Sequence, residues 1–426
     1  MTHDPRPTTL RGPAALTRAL RHRNYRLFFG GQGTSLVGTW ITRIATSWLV
    51  YRLTGSALLL GLVGFAGQIP TLVLAPLAGV LVDRWDRHRI LVWTQVLSML
   101  QSLALALLTL PHLITVSEIL ALQLVQGAIN AFDTPARQSL LVDLLEDRAD
   151  LPNAIALNSS MVNLSRIIGP SIGGVLIAAV GEGWCFMTDA VSYLAVIGSL
   201  FAMRLHPTDR APRTTRFSEE FREGLAYVVR FPPVRAALLL LALVATMGMP
   251  YVVLMPEFAA QVFHGGPHTL GFLMTASGAG ALVGALYLAS RHTVRGLWRV
   301  IAAAAILFGV ALSGFALART QWLALVILPL VGAGMMVAMA AVNTIVQTMV
   351  EERLRGRVMA FYAMAFLGTA PIGSLIAGVV ADRIGAPHTV LLGGLACIIG
   401  GIAFLLHIPA LRPHIRQAYA ARGVVA

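Results

Sequence analysis

The 426-residue chain contains no lysine and only two cysteines, and charged side chains make up just 12% of it. Each shortage removes a class of function. Without lysine there is no glycine-rich loop ending in Gly-Lys-Ser/Thr to cradle a nucleotide phosphate, so ATP is not the expected power source. Cys185 and Cys397 stand far apart in separate apolar segments, which leaves neither a disulfide framework nor metal-ligand spacing. His88, His112, His292 and His388 are scattered through loops without a ligand pattern. No metal, cofactor or catalytic site is expected, and the chain does not read as an enzyme. A soluble domain of this length would carry about twice the charged share. The alternating ten-residue segments of a membrane β-barrel are missing as well.

Long apolar runs are what the chain has instead. Hydrophobic residues make up 57% of it, and Leu58–Val82 and Ile90–Leu110 hold no charge at all. A run of about 20 apolar residues spans the hydrocarbon core as a helix, because in lipid every backbone N–H and C=O must be paired within the protein. The pattern predicts twelve such segments, near residues 26–50, 57–82, 89–110, 114–136, 153–180, 184–204, 234–262, 268–290, 297–318, 321–349, 356–381 and 388–407.

The net charge of +13 comes from arginines in the short loops between these runs, a layout that argues against a nucleic-acid partner. It is instead a topology signal. Alternate loops collect Arg84, Arg87 and Arg89, then Arg137 and Arg148, then Arg291, Arg295 and Arg299, then Arg353, Arg355 and Arg357. Both terminal segments and the loop from Arg204 to Arg235 fall on the same side, while the opposite side has only Arg52, Arg319 and Arg383. The positive-inside rule then places both termini in the cytoplasm of a multi-pass inner- or plasma-membrane protein.

The longest loop divides the chain. The expected organisation is a cytoplasmic tail over 1–25, a six-helix bundle over 26–204, a linker over 205–233, a second six-helix bundle over 234–407 and a tail over 408–426. Within the linker Phe217, Phe221, Leu225 and Val228 recur at helical spacing, which predicts an amphipathic helix at the membrane face. Short sequences repeat between the halves. Leu77–Arg84 is matched by Ile376–Arg383, and Ile172–Ile177 by Ile372–Ala377. Inverted repeats of this kind build many secondary transporters, whose substrate site lies at the repeat interface near mid-membrane.

Gly79-Val80-Leu81-Val82-Asp83-Arg84-Trp85-Asp86-Arg87-His88-Arg89 resembles the inner-loop signature of the major facilitator superfamily, Gly-x-Leu-Ala-Asp-Arg-x-Gly-Arg-Arg. Asp86 takes the place of the second glycine. The resemblance implies an inner gate: Gly79 for close helix approach, Asp83 as a helix cap, and Arg84, Arg87 and Arg89 as partners for acids. Gly169-Pro170-Ser171-Ile172-Gly173-Gly174 resembles the Gly-Pro-x-x-Gly-Gly core of exporters in the superfamily, with Pro170 bending the helix and the glycines packing against the other half. Gln123-Leu124-Val125-Gln126-Gly127 resembles the Arg-x-x-Gln-Gly motif of proton antiporters, with Gln123 replacing the arginine. Any proton coupling must therefore use other groups.

Ionisable residues inside spans are costly and mark function by default. Arg166 stands nearest mid-membrane, where an unpaired cation is expected to attract an anionic substrate or a carboxylate. Arg43 and Asp189 lie at matching depth, roughly 8–10 Å from the outer boundary by helix rise, and are candidates for an ion pair across the first and sixth spans. Asp133 and Arg137, one helical turn apart, are placed to contact each other or the inner gate. The acid at the outer end of the seventh span, Glu257, is expected near water.

Arg23-Asn24-Tyr25-Arg26-Leu27-Phe28, Trp48-Leu49-Val50-Tyr51 and Asp133-Thr134-Pro135-Ala136-Arg137 extend the likeness over most of the chain. They resemble the superfamily branch that holds the enterobactin (siderophore) exporter and macrolide-efflux-like proteins. The resemblance implies an all-α membrane protein of twelve helices in two pseudo-symmetric six-helix bundles, with spans one, four, seven and ten lining a central cavity. Gln123, Asn130, Met247, Met249, Met335, Met336 and Asn343 are candidates for that lining, methionines offering a soft surface to varied apolar ligands. The expected activity is export of a small amphipathic molecule by alternating access, with protons as partner and a monomer embedded in the bilayer. A lysophospholipid flippase stays open as the alternative. The short loops argue against a scaffold or receptor.

Overall fold

The computed structural model describes residues 17–204, 217–291, 293–294 and 296–420. Among them there is no strand; the chain is a succession of long helices. These are α1 (Arg23–Thr54), α2 (Ala57–Ala66), α3 (Ile69–Arg84), α4 (Arg87–Thr109), α5 (Val116–Asp143), α6 (Leu151–Val180) and α7 (Glu182–Ala202). A helix at Phe217–Arg230, α8, separates them from a second group. That group comprises α9 (Pro232–Leu243), α10 (Tyr251–Glu257), α11 (Pro267–Ala289), α12 (Leu297–Leu317), α13 (Gln321–Met349), α14 (Glu352–Ala363), α15 (Thr369–Ile384) and α16 (Ala386–Ala420).

Ten helical stretches among the described residues are long and apolar enough to cross a membrane. The chain is thus an all-α, multi-pass membrane protein. Two of the twelve expected segments, α1 and α5, are helical over 32 and 28 residues but fall outside that set of ten. Polar side chains dilute them: Gln32, Thr34, Ser35, Thr39 and Arg43 in α1, and Gln123, Gln126, Asn130 and Asp133 in α5. The remaining surface is apolar where a soluble protein would be polar. Trp322 is 80% exposed and Leu406 74%, which is tolerable only against lipid.

Local chemistry sets the helix ends. Ser56 caps α2 by accepting from the Leu59 amide, Thr320 does the same for α13 at Leu323, and Thr115 with Glu118 forms a capping box on α5. Gly55, Gly181 and Gly385 take positive φ at the tight turns that follow α1, α6 and α15. Wide π-turns at Val244–Gly248, Phe258–Val262 and Met364–Gly368 lie beside Pro250, Pro256 and Pro371, which cannot donate a backbone hydrogen bond. The break between α2 and α3 lies against α5. A methyl group on Gly127 would be 2.7 Å from the Gly67 carbonyl, and the Thr71 hydroxyl donates to the Gly127 carbonyl at 2.7 Å.

Three features sharpen the sequence reading. The amphipathic helix in the linker is present as α8, and it docks on α14. Glu223 pairs with Arg353 at 2.7 Å and with Arg357, and the Phe221 and Phe361 rings lie 5.1 Å apart. The last helix continues to Ala420, well past the end of its apolar run near residue 407. Ile408, Leu411, Ile415 and Tyr419 are buried at steps of three and four, so the extension is an amphipathic helix packed on the protein. Glu257 is not near water. It is 7% exposed, and its Oε1 accepts from the Ala386 amide at 3.1 Å, at the start of α16.

The first described residues form a latch. Arg18, Arg21 and His22 converge on Asp150, which is 1% exposed, with Arg21 at 2.8 Å and His22 at 2.9 Å. Burial pushes the Asp150 carboxyl up, but hydrogen bonds from His22 and Arg21 and the charges of Arg18 and Arg21 outweigh it and hold the group below its ordinary value. The Tyr25 hydroxyl donates to the Ala154 carbonyl at 2.9 Å beside it.

Candidate functional site

The two helix groups touch through glycines. A methyl group on Gly61 of α2 would lie 2.9 Å from the Cα of Gly378 on α15, and one on Gly174 of α6 would lie 2.9 Å from the Cα of Gly271 on α11. Both crossings lie near the end marked by Gly55, Gly181 and Gly385, away from the arginine-rich loops. Such contacts let helix backbones meet directly.

The exporter-type motif divides between two faces. Of the three glycines only Gly174 meets the second group, beside the carbonyl of Pro170 and the Ser171 hydroxyl, which lies 2.8 Å from that of Thr275. Gly169 and Gly173 instead face α1: a methyl on Gly169 would be 2.4 Å from the Trp40 Cβ, and one on Gly173 would be 3.3 Å from the Ile41 Cα. The expectation that all three glycines pack against the other half is corrected by helix geometry. Residues 169 and 173 share one face, and residue 174 lies about 100° from 173.

The inner-loop motif is also rearranged. Gly79, expected at a close helix approach, faces open space: a methyl group there would have nothing within 4 Å. The side chain of Asp83 lies outside the described residues. The cap on α4 is Asp86, which accepts from the amides of His88 at 2.9 Å and Arg89 at 3.3 Å. Arg87 reaches the α5 terminus, 3.5 Å from Asp143 and 3.4 Å from the Ser139 carbonyl. Arg84 and Arg89 are exposed, and Arg89 lies 3.8 Å from Asp86.

Asp133 and Arg137 pair at 2.9 Å as the spacing predicts. The carboxylate also accepts from Gln95 at 2.6 Å and Thr94 at 3.1 Å, and it is buried. Those two residues start a buried polar stripe on α4, continued by Ser98, Gln101 and Ser102. Gln126 donates to Ser98 at 3.2 Å and to Asn130 at 3.1 Å. At the other end of the stripe Ser102 donates to Asp189 at 2.8 Å. Tyr193 lies 3.5 Å from Thr39, joining α7 to α1.

Asp189 and Arg43 do not pair. Asp189 lies against Gly38 of α1, and residue 43 is five positions on, about 140° round the helix. Arg43 sits instead over the Trp40 ring at 5.0 Å. Among the described residues neither Arg43 nor Arg166 has a salt-bridge partner, and Asp189 has no cation.

The lining candidates separate as well. Gln123 and Asn130 are half-buried on α5, Asn343 is half-buried on α13, and Met247 is 38% exposed in a π-turn. Met335 and Met336 are 2% and 8% exposed and belong to the core of the second group. Gly332 and Gly334 draw α13 tightly onto α11 and α12, which leaves no open space beside these methionines.

Sequence reading missed the α4 stripe. The signal was there, polar residues at 94, 95, 98, 101 and 102 inside an otherwise apolar run, a helical period written in uncharged side chains. It also missed the Asp150 latch, which joins residues 128 apart in the chain for His22.

Residues 15–419 match the profile of a family described as transmembrane secretion effectors. The staphyloferrin A transporter of Staphylococcus aureus is 27% identical over 375 residues, covering 88% of this chain and 93% of the relative. The multidrug efflux pump Tap of Mycolicibacterium fortuitum is 30% identical over 389 residues, 89% of this chain and 94% of that one. Among solved structures, a bacterial homolog of the human lysosomal transporter Spinster, inward-facing and occupied, superimposes with a TM-score of 0.72 over 95% of this chain and 99% of the other, at 13% identity.

Proposed function

Because the chain belongs to the transmembrane secretion effector family of the major facilitator superfamily, we propose that it exports a small amphipathic molecule by alternating access, driven by proton antiport. That it is a secondary transporter of a small molecule, and not an enzyme, follows from its relatives and structural neighbours, all of which are transporters. We further divide it into six-helix bundles over 26–204 and 234–407, joined by the linker over 205–233, with tails over 1–25 and 408–426. The arginine asymmetry favours both tails in the cytoplasm.

One observation carries the alternating-access reading. Gly61–Gly378 and Gly174–Gly271 press the two groups together at one end, whereas among the described residues no glycine at the arginine-rich end brings the groups together. A transporter closed on one side and open on the other has this asymmetry, and rocking about mid-membrane would exchange it. With the arginine-rich end inside, the state is inward-open. The inner-loop motif is then a gate waiting to close, with Gly79, Asp83, Arg84, Arg87 and Arg89 as its parts.

Asp189 is the proton group we favour. It is buried, has no cation beside it among the described residues, and is bonded to Ser102, whose hydroxyl can donate or accept. Such a site accommodates the carboxyl with or without its proton by turning hydroxyls. Asp133 is held by Arg137 and reads as structural. The substrate reading rests on kinship: a siderophore-like metabolite or a drug, as the names of the relatives have it.

The test uses everted vesicles with an acid interior. Cationic drugs, macrolides and siderophores are added in turn while the pH gradient is followed. One compound should discharge the gradient, and Asp189→Asn should abolish discharge while leaving substrate–substrate exchange intact. If none discharges it although labelled lysophospholipid crosses, the protein is a flippase and proton antiport is wrong.

A further inference from the structure

Two arginines within the membrane-spanning helices, Arg43 and Arg166, have no anionic partner among the described residues. Among the described residues, neither the Arg43 nor the Arg166 guanidinium makes a salt bridge or hydrogen bond. An unpaired charge at this depth is costly, and a second one of the same sign nearby adds to that.

The two belong to one place. α1 and α6 pack along Trp40–Gly169 and Ile41–Gly173, so Arg43 and Arg166 flank a single helix crossing. Their charges are within electrostatic reach of each other. Arg43 is exposed, and a charge on a spanning helix is tolerated where it faces a polar interior space and not lipid. The rest of that α1 face agrees, since Gln32, Thr39, Arg43 and Ser47 recur at steps of seven and four. On α6, Ser159, Asn163 and Arg166 recur at steps of four and three. Arg166 stands at the seam between the groups: Gly278 of α11 packs against its carbonyl, and its charge reaches Tyr251 of α10, whose hydroxyl is bonded to Ser277 at 2.6 Å. The two acids that lie deep in the spans of the first group are turned elsewhere. Asp133 is committed to Arg137, and Asp189 lies on the far side of α1.

We propose that Arg43 and Arg166 form the binding site for an oxyanion group, a carboxylate or phosphate, on the transported molecule, with the Trp40 ring flanking it. The site selects organic anions over cations, and it rests on the reading of the chain as a small-molecule exporter. An anion here supplies the missing charge on both helices at the seam between the groups. The guanidinium forks match carboxylate and phosphate geometry, and the indole ring offers a flat face to an apolar body.

The test is a binding measurement on purified full-length protein in phosphatidylcholine nanodiscs. Thermal stability is titrated with 2,6-naphthalenedicarboxylate, its neutral dimethyl ester, lysophosphatidate and ethidium. The dicarboxylate should stabilise saturably and the diester should not. Arg43→Gln and Arg166→Gln should each weaken binding about tenfold or more, with Arg→Lys at either position recovering part of it. Elution profiles of the Lys variants control for folding. Stabilisation by lysophosphatidate alone places the oxyanion on a lipid headgroup and upholds the site. Equal binding of the diester or ethidium, undiminished dicarboxylate binding in both Gln variants, or no response to either anion overturns it. Binding is read without transport, so anion binding without vesicle export sinks the export reading alone. Export of a cation untouched by Arg43→Gln sinks this site alone.

Discussion

Gly174 and Gly271 meet with no side chain between them: a methyl group on Gly174 would lie 2.7 Å from the Pro267 carbonyl oxygen, and one on Gly271 the same distance from that of Pro170. Gly61 and Gly378 repeat the arrangement against the carbonyls of Ser374 and Ala57, at 2.5 and 2.8 Å. Two equivalent crossings close one end. Enlarging either should pry it open, and overpacking of this kind costs about 1–3 kcal/mol, enough to shift a two-state balance roughly 5- to 150-fold. Gly174→Val and Gly61→Val should therefore expose Ala57→Cys, now 3% exposed, to a membrane-impermeant thiol reagent. The native Cys185 and Cys397 are buried and give little background. Unchanged labelling would show that these glycines do not hold the end shut.

Asp86 occupies the position where the superfamily signature has glycine, and it caps α4 with two hydrogen bonds. Asp86→Ala should cost about 1 kcal/mol, whereas Asp86→Gly should cost only a few tenths, because glycine is itself tolerated at an N-cap. Thermal unfolding in detergent measures both. Equal losses would mean that the aspartate acts through its charge.

The buried Asp133–Arg137 pair should show coupling. Arg137→Gln leaves the carboxylate to Gln95 and Thr94 and should cost about 1–3 kcal/mol. Adding Asp133→Asn should recover part of that loss, since the uncompensated charge is removed. Strict additivity in the double mutant would dismiss the pair as an energetic unit.

Acid should open the Asp150 latch. The folded carboxyl is held below its ordinary value, so its stabilisation is complete above the ordinary carboxylate range and fades as pH falls through the lowered one. Hydrogen exchange at the amides of residues 18–22 should be slow at neutral pH and rise in acid. Asp150→Asn should be fast at both, and a pH response that survives in that variant would move the switch to another group.

How far the sequence foretold this molecule depended on what wrote each feature. Long apolar runs and arginine-rich loops act over a whole helix, so helix order and the linker helix were legible, as was the i,i+4 pair of Asp133 and Arg137. Azimuth was not. Arg43 and Asp189 match in depth but stand on opposite sides of α1, and Gly173 and Gly174 are neighbours that serve different partners. Depth follows from counting residues, whereas facing depends on which helices pack beside each one. Met335 failed for the same reason. Its composition suggests a soft binding surface, yet its neighbours close over it.

The Asp150 latch has a consequence for biosynthesis. His22 waits for a partner 128 residues downstream, and at a synthesis rate of about 5–20 residues per second that delay is roughly 6–25 seconds. Throughout that interval Arg18, Arg21 and His22 have no Asp150 to bind. They are free to act as topogenic charge while the early helices enter the bilayer. They are tied down only when the turn before α6 emerges, so the same arginines are free charge on the nascent chain first and a lock later.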